Sequence, residues 1–341
     1  ENSWLLGDSG GFQIGKGVWE GDWKNPNCPK AQKKREQVLR WMDAYMDYGM
    51  ILDIPAWVAR SPAGVKATGI SSYQEAVDAT RINNDYFMAN RNGNCKFLNV
   101  LQGENHADAE DWYQQMKDYC DPKKYTDHFN GWSMGGQNMC DIHLVLKRLV
   151  ALRFDGLLEK GKHDFMHFLG TSKLEWATLL TDIQRAVRKY HNPNFTVTFD
   201  CASPFLATAN GQIYCELETN DREKWVYRMV PSIDNKTFST DTTPFAEAFV
   251  REGKHSSFLD SPISNGLTAK DICIYGAGDL NKIGKEGKTS WDSFSYGIMM
   301  GHNVWMHINA VQEANRQYDA GKIPKMLVQE TFDTVMLRDI V

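Results

Sequence analysis

Several features that would each mark a class of protein are missing here. No apolar run in the 341 residues approaches the ~18 that would cross a bilayer, and there is no secretory signal. Cysteine is sparse and irregular: seven residues, an odd number without a repeating spacing, do not make a disulfide framework. Reduced thiols in a cytoplasm are the reading that follows. An excess of basic charge is also absent, since 38 Lys and Arg face 43 Asp and Glu for a net charge of −5. Local clusters exist at Lys33, Lys34 and Arg35, at Lys123 and Lys124, and at Lys282, Lys285 and Lys288. Each reads first as a solvated face, although an enzyme that visits a polymer briefly needs only a local basic strip. An initiating methionine is missing too. The chain opens at Glu1 and meets a structured motif almost at once, so residues are expected to precede it.

What is present is an ordinary globular composition, with 12% aromatic and 24% charged residues over a length that suits one large α/β domain or two smaller ones. Short apolar runs recur, each ending in a polar or glycine-rich signature. Met50 to Ile54 carries Asp53, Phe97 to Leu101 runs into Gln102-Gly103, and Trp132 to Met134 runs into Gly135-Gly136. Met166 to Leu169 ends at Gly170, and Phe195 to Phe199 ends at Asp200. Such runs suit strands buried on both faces. Helical periods lie between them at Lys33 to Tyr48, His143 to Arg153 and Leu174 to Tyr190. Alternation of this kind implies a parallel sheet. Polar signatures at successive strand ends favour a (β/α)8 TIM-type barrel over a doubly wound open sheet, which periodicity alone leaves open. From about Gln212 to Lys288 the pattern breaks, and from Trp291 to Tyr318 a helical pattern returns. The expected organisation is a barrel over 1–212, an inserted or appended subdomain over 213–290 and a helical segment over 291–341.

Two carboxylates stand out. Asp8 precedes Ser9-Gly10-Gly11-Phe12-Gln13, where paired glycines let backbone approach a ligand and the carboxylate can move a proton. Asp200 closes a strand in Phe199-Asp200-Cys201. Either alone is equally a turn or a strand end.

Together with Leu101-Gln102-Gly103, Met134-Gly135-Gly136, Phe168-Leu169-Gly170, Pro204 and Asn210-Gly211-Gln212, in this order, they resemble the signatures of the tRNA-guanine transglycosylases. The resemblance runs from Asp8 to the helix after His302. It implies a pentosyltransferase in which Asp200 is the nucleophile at the sugar C1′ and Asp8 the general acid/base. It also implies a purine pocket of Phe12, Asp53, Gln102, Gly103, Gly135, Gly136 and Leu169. There Phe12 and Leu169 would sandwich the base, Asp53 would accept from N1 and the exocyclic amine, and Gln102 with the Gly136 backbone would meet O6. Asp53 matches more loosely, because Ile54 and Pro55 replace its usual neighbours. Asp141 falls where the family has a glutamate behind the pocket.

Three departures redirect the substrate. Leu206 and Ala209 occupy positions where relatives acting on tRNA carry arginines that read the anticodon loop. The family's zinc pattern falls on Asp271, Cys273, Gly276 and His302, a degenerate set, so no cofactor is expected and zinc is improbable. The stretch from Asp200 to Asp271 is longer than in those relatives, and its Arg222, Lys224, Trp225, Tyr227, Arg228 and Phe238 either contact a nucleic-acid strand or pack internally. These departures fit the family's DNA-acting branch in bacteriophages and bacterial genomic islands, which exchanges guanine in DNA for a 7-deazaguanine such as preQ0 and can thereby evade restriction. The expected partners are DNA and the free base, with a homodimer open and no membrane, in the cytoplasm of a bacterial host. The alternatives are an enzyme acting on tRNA, a non-catalytic partner subunit and a glycosylase that only hydrolyses. The retained Asp8 and Asp200 argue against the partner subunit.

Overall fold

A computed structural model describes residues 3–221, 224–231, 240–248, 261–272 and 293–327. The described residues fall into two compact units. One holds residues 3–171 and 182–200; the other holds 172–181 and the described residues from 201 to 327.

The first unit is α/β. Its strands are β1 (Leu6–Gly7), β2 (Tyr48–Met50), β3 (Lys96–Leu101), β4 (Gly131–Met134), β5 (Phe165–Phe168) and β6 (Thr196–Phe199). They pair in sequence order, and every pairing is parallel. β4 and β5 are buried throughout, Ser133 and His167 included, as strands covered on both faces are. Right-handed crossovers between sequential parallel strands put all connecting helices on one face. The other face is then left to close on its own side chains. It does so: Tyr48 on β2 stacks on Phe165 of β5 at 4.4 Å between ring centroids, and Trp4 meets the same Phe165 at 5.0 Å. In a flat sheet three strand spacings, roughly 14 Å, would separate β2 from β5. The sheet is therefore curled into a half-barrel.

The connecting helices are α1 (Gly11–Gly15), α2 (Pro29–Tyr45), α3 (Pro62–Thr68), α4 (Tyr73–Asn90), α5 (His106–Met116) and α6 (Ile142–Phe154). Their starts are written locally. Pro29 opens α2, Ser72 caps α4 by accepting from the Glu75 amide, and Asn105 caps α5 through the Asp108 amide. Asp141 caps α6 and also bonds His106 Nε2 at 2.7 Å, so this carboxylate serves a helix start. Helix α7 (Leu174–Tyr190) has the bounds its periodicity predicts. The expected strand over Met50 to Ile54 is corrected to Tyr48–Met50, because beyond it the Asp53 amide folds back onto the Ile51 carbonyl.

The second unit contains α8 (Ser203–Ala209), the antiparallel pair β7 (Gln212–Glu218) and β8 (Val226–Pro231), a single turn Ala269–Ile272 and the long helix Ser293–Asp319. The hairpin is hidden from a period-2 reading by a register irregularity between Tyr214 and Glu216. Tyr214, Tyr227 and His307 stack in a ladder with centroids 5.0 and 4.7 Å apart. Burial pushes His307 down to about 4, so it is neutral at pH 7. Trp225 is buried against Leu174, Ala310 and Ala314. Of the two readings left open for Trp225 and Tyr227, internal packing is the one seen, since both rings are engaged inside this unit. Arg228 pairs with Glu216 and Glu218. Arg222 and Phe238 lie outside the described residues.

Candidate active site

Because all six strands are parallel, their carboxyl ends share one rim, and the signatures that follow β1 to β6 are delivered there. Register fixes the level: Leu101 pairs with Met134, Met134 with Phe168 and Phe168 with Phe199. The next residues, Gln102, Gly135, Leu169 and Asp200, therefore emerge side by side. Asp8 follows β1 and Asp53 follows β2 on the same rim.

Asp200 keeps its side chain 61% exposed while Gly170 N–H donates to Oδ1 at 3.0 Å and His167 Nε2 lies 3.2 Å from the same oxygen. An ionised carboxylate only accepts, so Nε2 carries a proton. In the neutral ring Nδ1 is then free to accept from the Thr198 hydroxyl 2.8 Å away. Enclosure pushes the Asp200 carboxyl up, but the His167 bond, the Gly170 amide and, when the imidazole is protonated, its charge outweigh it and hold the carboxyl below its usual range. Asp8 moves the other way. Enclosure is the main cause, the nearby Asp200 charge adds to it, and the Ser9 amide only partly offsets them. The curl of the sheet is what lets the ends of its first and last strands feel one another.

His167 was not legible as a site residue, yet it is buried and holds Asp200 directly. The signal was a lone imidazole in the strand Phe165-Met166-His167-Phe168, two residues ahead of a predicted pocket position. Replacing His167 by Phe should slow the reaction about 10- to 100-fold, as expected when a charged group loses a hydrogen bond. The acidic limb of the rate–pH profile should move to higher pH, and His167→Gln, which keeps a donor, should restore part of both. A profile that stays in place would show that His167 only fills space.

Gly11, Gln102, Gly103, Gly135 and Gly136 meet around Asp53. Its carboxyl is buried, and Gln102 Nε2 donates to Oδ2 at 2.7 Å. Burial, with a contribution from Asp8, pushes it up to about 7 against the Gln102 bond. Two glycines allow this packing. A Cβ on Gly11 would sit 2.5 Å from the Asp53 carbonyl oxygen, and one on Gly136, at φ +57°, would sit 2.3 Å from the Gly103 carbonyl oxygen. Gly135 is packed as closely on the Gln102 amide. Phe12, on α1, is 58% exposed and offers an open ring face beside Trp57. Leu169 is half-buried. The resemblance did not foresee the Asp53–Gln102 pairing.

Within the second unit, Leu206 and Ala209 lie exposed on α8. His302 has both ring nitrogens engaged, Nδ1 with Ser261 Oγ at 2.8 Å and Nε2 with the Tyr214 carbonyl at 2.7 Å. Asn303 next to it accepts from the Tyr214 amide and donates to Thr208 and Gln212, fixing the start of β7. Asp271 accepts from the amide and hydroxyl of Thr268, as a helix start does. Among the described residues no group of three or more His, Cys, Asp or Glu is placed to hold a metal. Cys273 and Gly276 lie outside those residues, as do Lys282, Lys285 and Lys288. Nor is any described helix long and apolar enough to cross a membrane. Searches for similar proteins find no family model and no curated sequence that this chain matches significantly.

Proposed function

We propose that this protein is a guanine transglycosylase that exchanges guanine in DNA for a 7-deazaguanine of the preQ0 type. The half-barrel is read as the larger part of a (β/α)8 barrel. The observation that carries the proposal is the opposed displacement of two carboxyls on one rim: Asp200 is held ionised while Asp8 is pushed toward the protonated form. A double displacement at a glycosidic carbon needs this split.

In the first step an Asp200 oxygen attacks C1′, the C1′–N9 bond breaks, and the Asp8 carboxyl gives its proton to the departing guanine. The product is an aspartyl ester of the DNA sugar and a free base. The incoming 7-deazaguanine then loses its ring N–H proton to the Asp8 carboxylate and attacks C1′, expelling Asp200 with net retention. Asp53 and Gln102 read the purine edge, and Phe12 with Leu169 cover its faces.

DNA is preferred to tRNA because the exposed face of α8 carries Leu206 and Ala209 where an anticodon reader needs guanidinium groups. The test is mass spectrometry of nucleosides after incubating the protein with labelled preQ0 and either guanine-containing DNA, single-stranded and duplex, or tRNA. Label in DNA is the expected result. Label in tRNA alone overturns the choice of polymer. Abasic sites without incorporation would make the protein a hydrolase, and no change in either polymer would overturn the reading altogether.

A further inference from the structure

Beside Asp8 the first unit has a cavity of about 470 Å³, lined by Ser9, Gly10, Gln13, Trp19, Lys34 and Trp41 among others. Its size is within the range that takes a small organic ligand. One wall is a face of α2 that presents Lys34, Gln37, Val38 and Trp41, while Lys30 and Lys33 on the same helix line an adjoining pocket that shares Lys34 and Gln37. The other wall is the turn that carries Asp8, flanked by two indoles. Trp19 lies against Gly10, where a Cβ would meet its ring at 2.4 Å, and the edge of Trp41 comes within 3.3 Å of a Cβ built on Gly7. Trp41 remains 44% exposed. Lys30 is neutralised by Glu20 at 2.9 Å. Lys34 sits over the Trp19 ring at 5.1 Å, and among the described residues neither it nor Lys33 has a carboxylate partner.

We infer that this cavity holds the nucleotide adjacent to the target guanosine in a single-stranded stretch of the substrate, its base against the tryptophans and its phosphate on Lys33 and Lys34. The inference rests on the proposed function and extends it from the reacting base to the strand around it. Three observations converge. Asp8 itself lines the cavity, so what fills it lies beside the proposed acid/base carboxylate, within reach of a strand held there by its reacting sugar. Its aromatic faces match a stacking surface that every base possesses. Its cation Lys34, with Lys33 beside it in the adjoining pocket, puts positive charge where a phosphate of the strand would pass. A base taken out of a duplex leaves its neighbour without a stacking partner, and an indole replaces it.

The test uses a short fluorescent single-stranded oligonucleotide with one guanine, and copies with a photoreactive thiothymidine on either side of it. Trp41→Ala and Lys34→Glu should each weaken binding about tenfold, the worth of one stacked base or one reversed phosphate contact. Lys34→Glu should also flatten the dependence of log K on log salt by about 1. One of the two flanks should crosslink to the peptide carrying Trp19 or Trp41, and Trp41→Phe, which keeps a ring, should bind nearly as the parent does. Parent-like binding by both Trp41→Ala and Lys34→Glu, with no crosslink to either peptide, overturns the inference. Label incorporation by the unaltered protein is scored separately. Exchange without use of the groove removes only this inference. Groove binding without exchange removes the transglycosylase reading and keeps the strand site.

Discussion

Replacing Asp200 by Asn should lower base exchange by about 10⁴-fold or more, the scale on which losing a covalent nucleophile acts. The reason is chemical and not structural. A carboxamide oxygen is too weak a nucleophile to displace guanine at C1′, yet it still accepts hydrogen bonds from the Gly170 amide and His167 that hold Asp200 now. Thermal unfolding of the variant should therefore stay close to that of the parent. The direct readout is a denaturing gel of protein mixed with DNA but no incoming base. The parent accumulates a band at the mass of the covalent adduct, and Asp200→Asn does not. Asp8→Asn should show the adduct forming slowly, because attack remains possible but the leaving base receives no proton. An adduct of parental yield in Asp200→Asn would move the nucleophile elsewhere and remove the basis of the mechanism.

Asp53→Asn should have opposite effects on stability and on binding. In the folded protein the carboxyl is pushed up to about 7, chiefly by burial. In the unfolded chain it titrates at about 3.9. Between those values the folded form holds a proton that the unfolded form has released, so this group makes stability fall as pH rises, and the loss is complete above about pH 7. Three pKa units correspond to about 4 kcal/mol. The Asn variant carries no such penalty, so its melting temperature should exceed the parent's at pH 8, and the gap should close toward pH 4. Purine binding runs the other way. An ionised Asp53 accepts from N1–H and the exocyclic amine, so guanine should bind the parent more tightly as pH rises through 7. The variant should bind about 100-fold more weakly, since its amide opposes a donor with a donor. Calorimetric titration with free guanine between pH 5.5 and 8.5 checks this. A flat profile for the parent would mean that Asp53 does not read the purine.

Much of the rim was legible in the sequence because its parts are local. A strand ending in Gln102-Gly103 or Gly135-Gly136 carries its signature within two or three residues, and parallel pairing brings such ends together wherever they occur in the chain. The length of α7 was legible for the same reason: one apolar stripe and no breaker between Leu174 and Tyr190. The end of β2 was not, because Ile51, Leu52 and Ile54 are buried whether or not they lie in a strand. Hydrophobicity records burial, and only the Asp53–Ile51 backbone bond decides where the ladder stops. Trp225 and Tyr227 stayed open for the same reason, since an aromatic in a polar stretch fits a stacking platform and a packed core equally until its partners are known.

The sequence by itself determined which groups are available: Asp8 and Asp200 at strand ends, glycines where backbones must nearly touch, and aliphatic side chains at Leu206 and Ala209. Tertiary structure alone decided what state those groups are in. A carboxylate's acidity depends on the atoms around it, and those atoms come from residues far away in the chain. His167 reaches Asp200 across paired strands, Gln102 reaches Asp53 from the next strand 49 residues on, and Asp8 feels Asp200 only because six strands curl. Acidity is set by distance and burial, neither of which is written in any single stretch of residues.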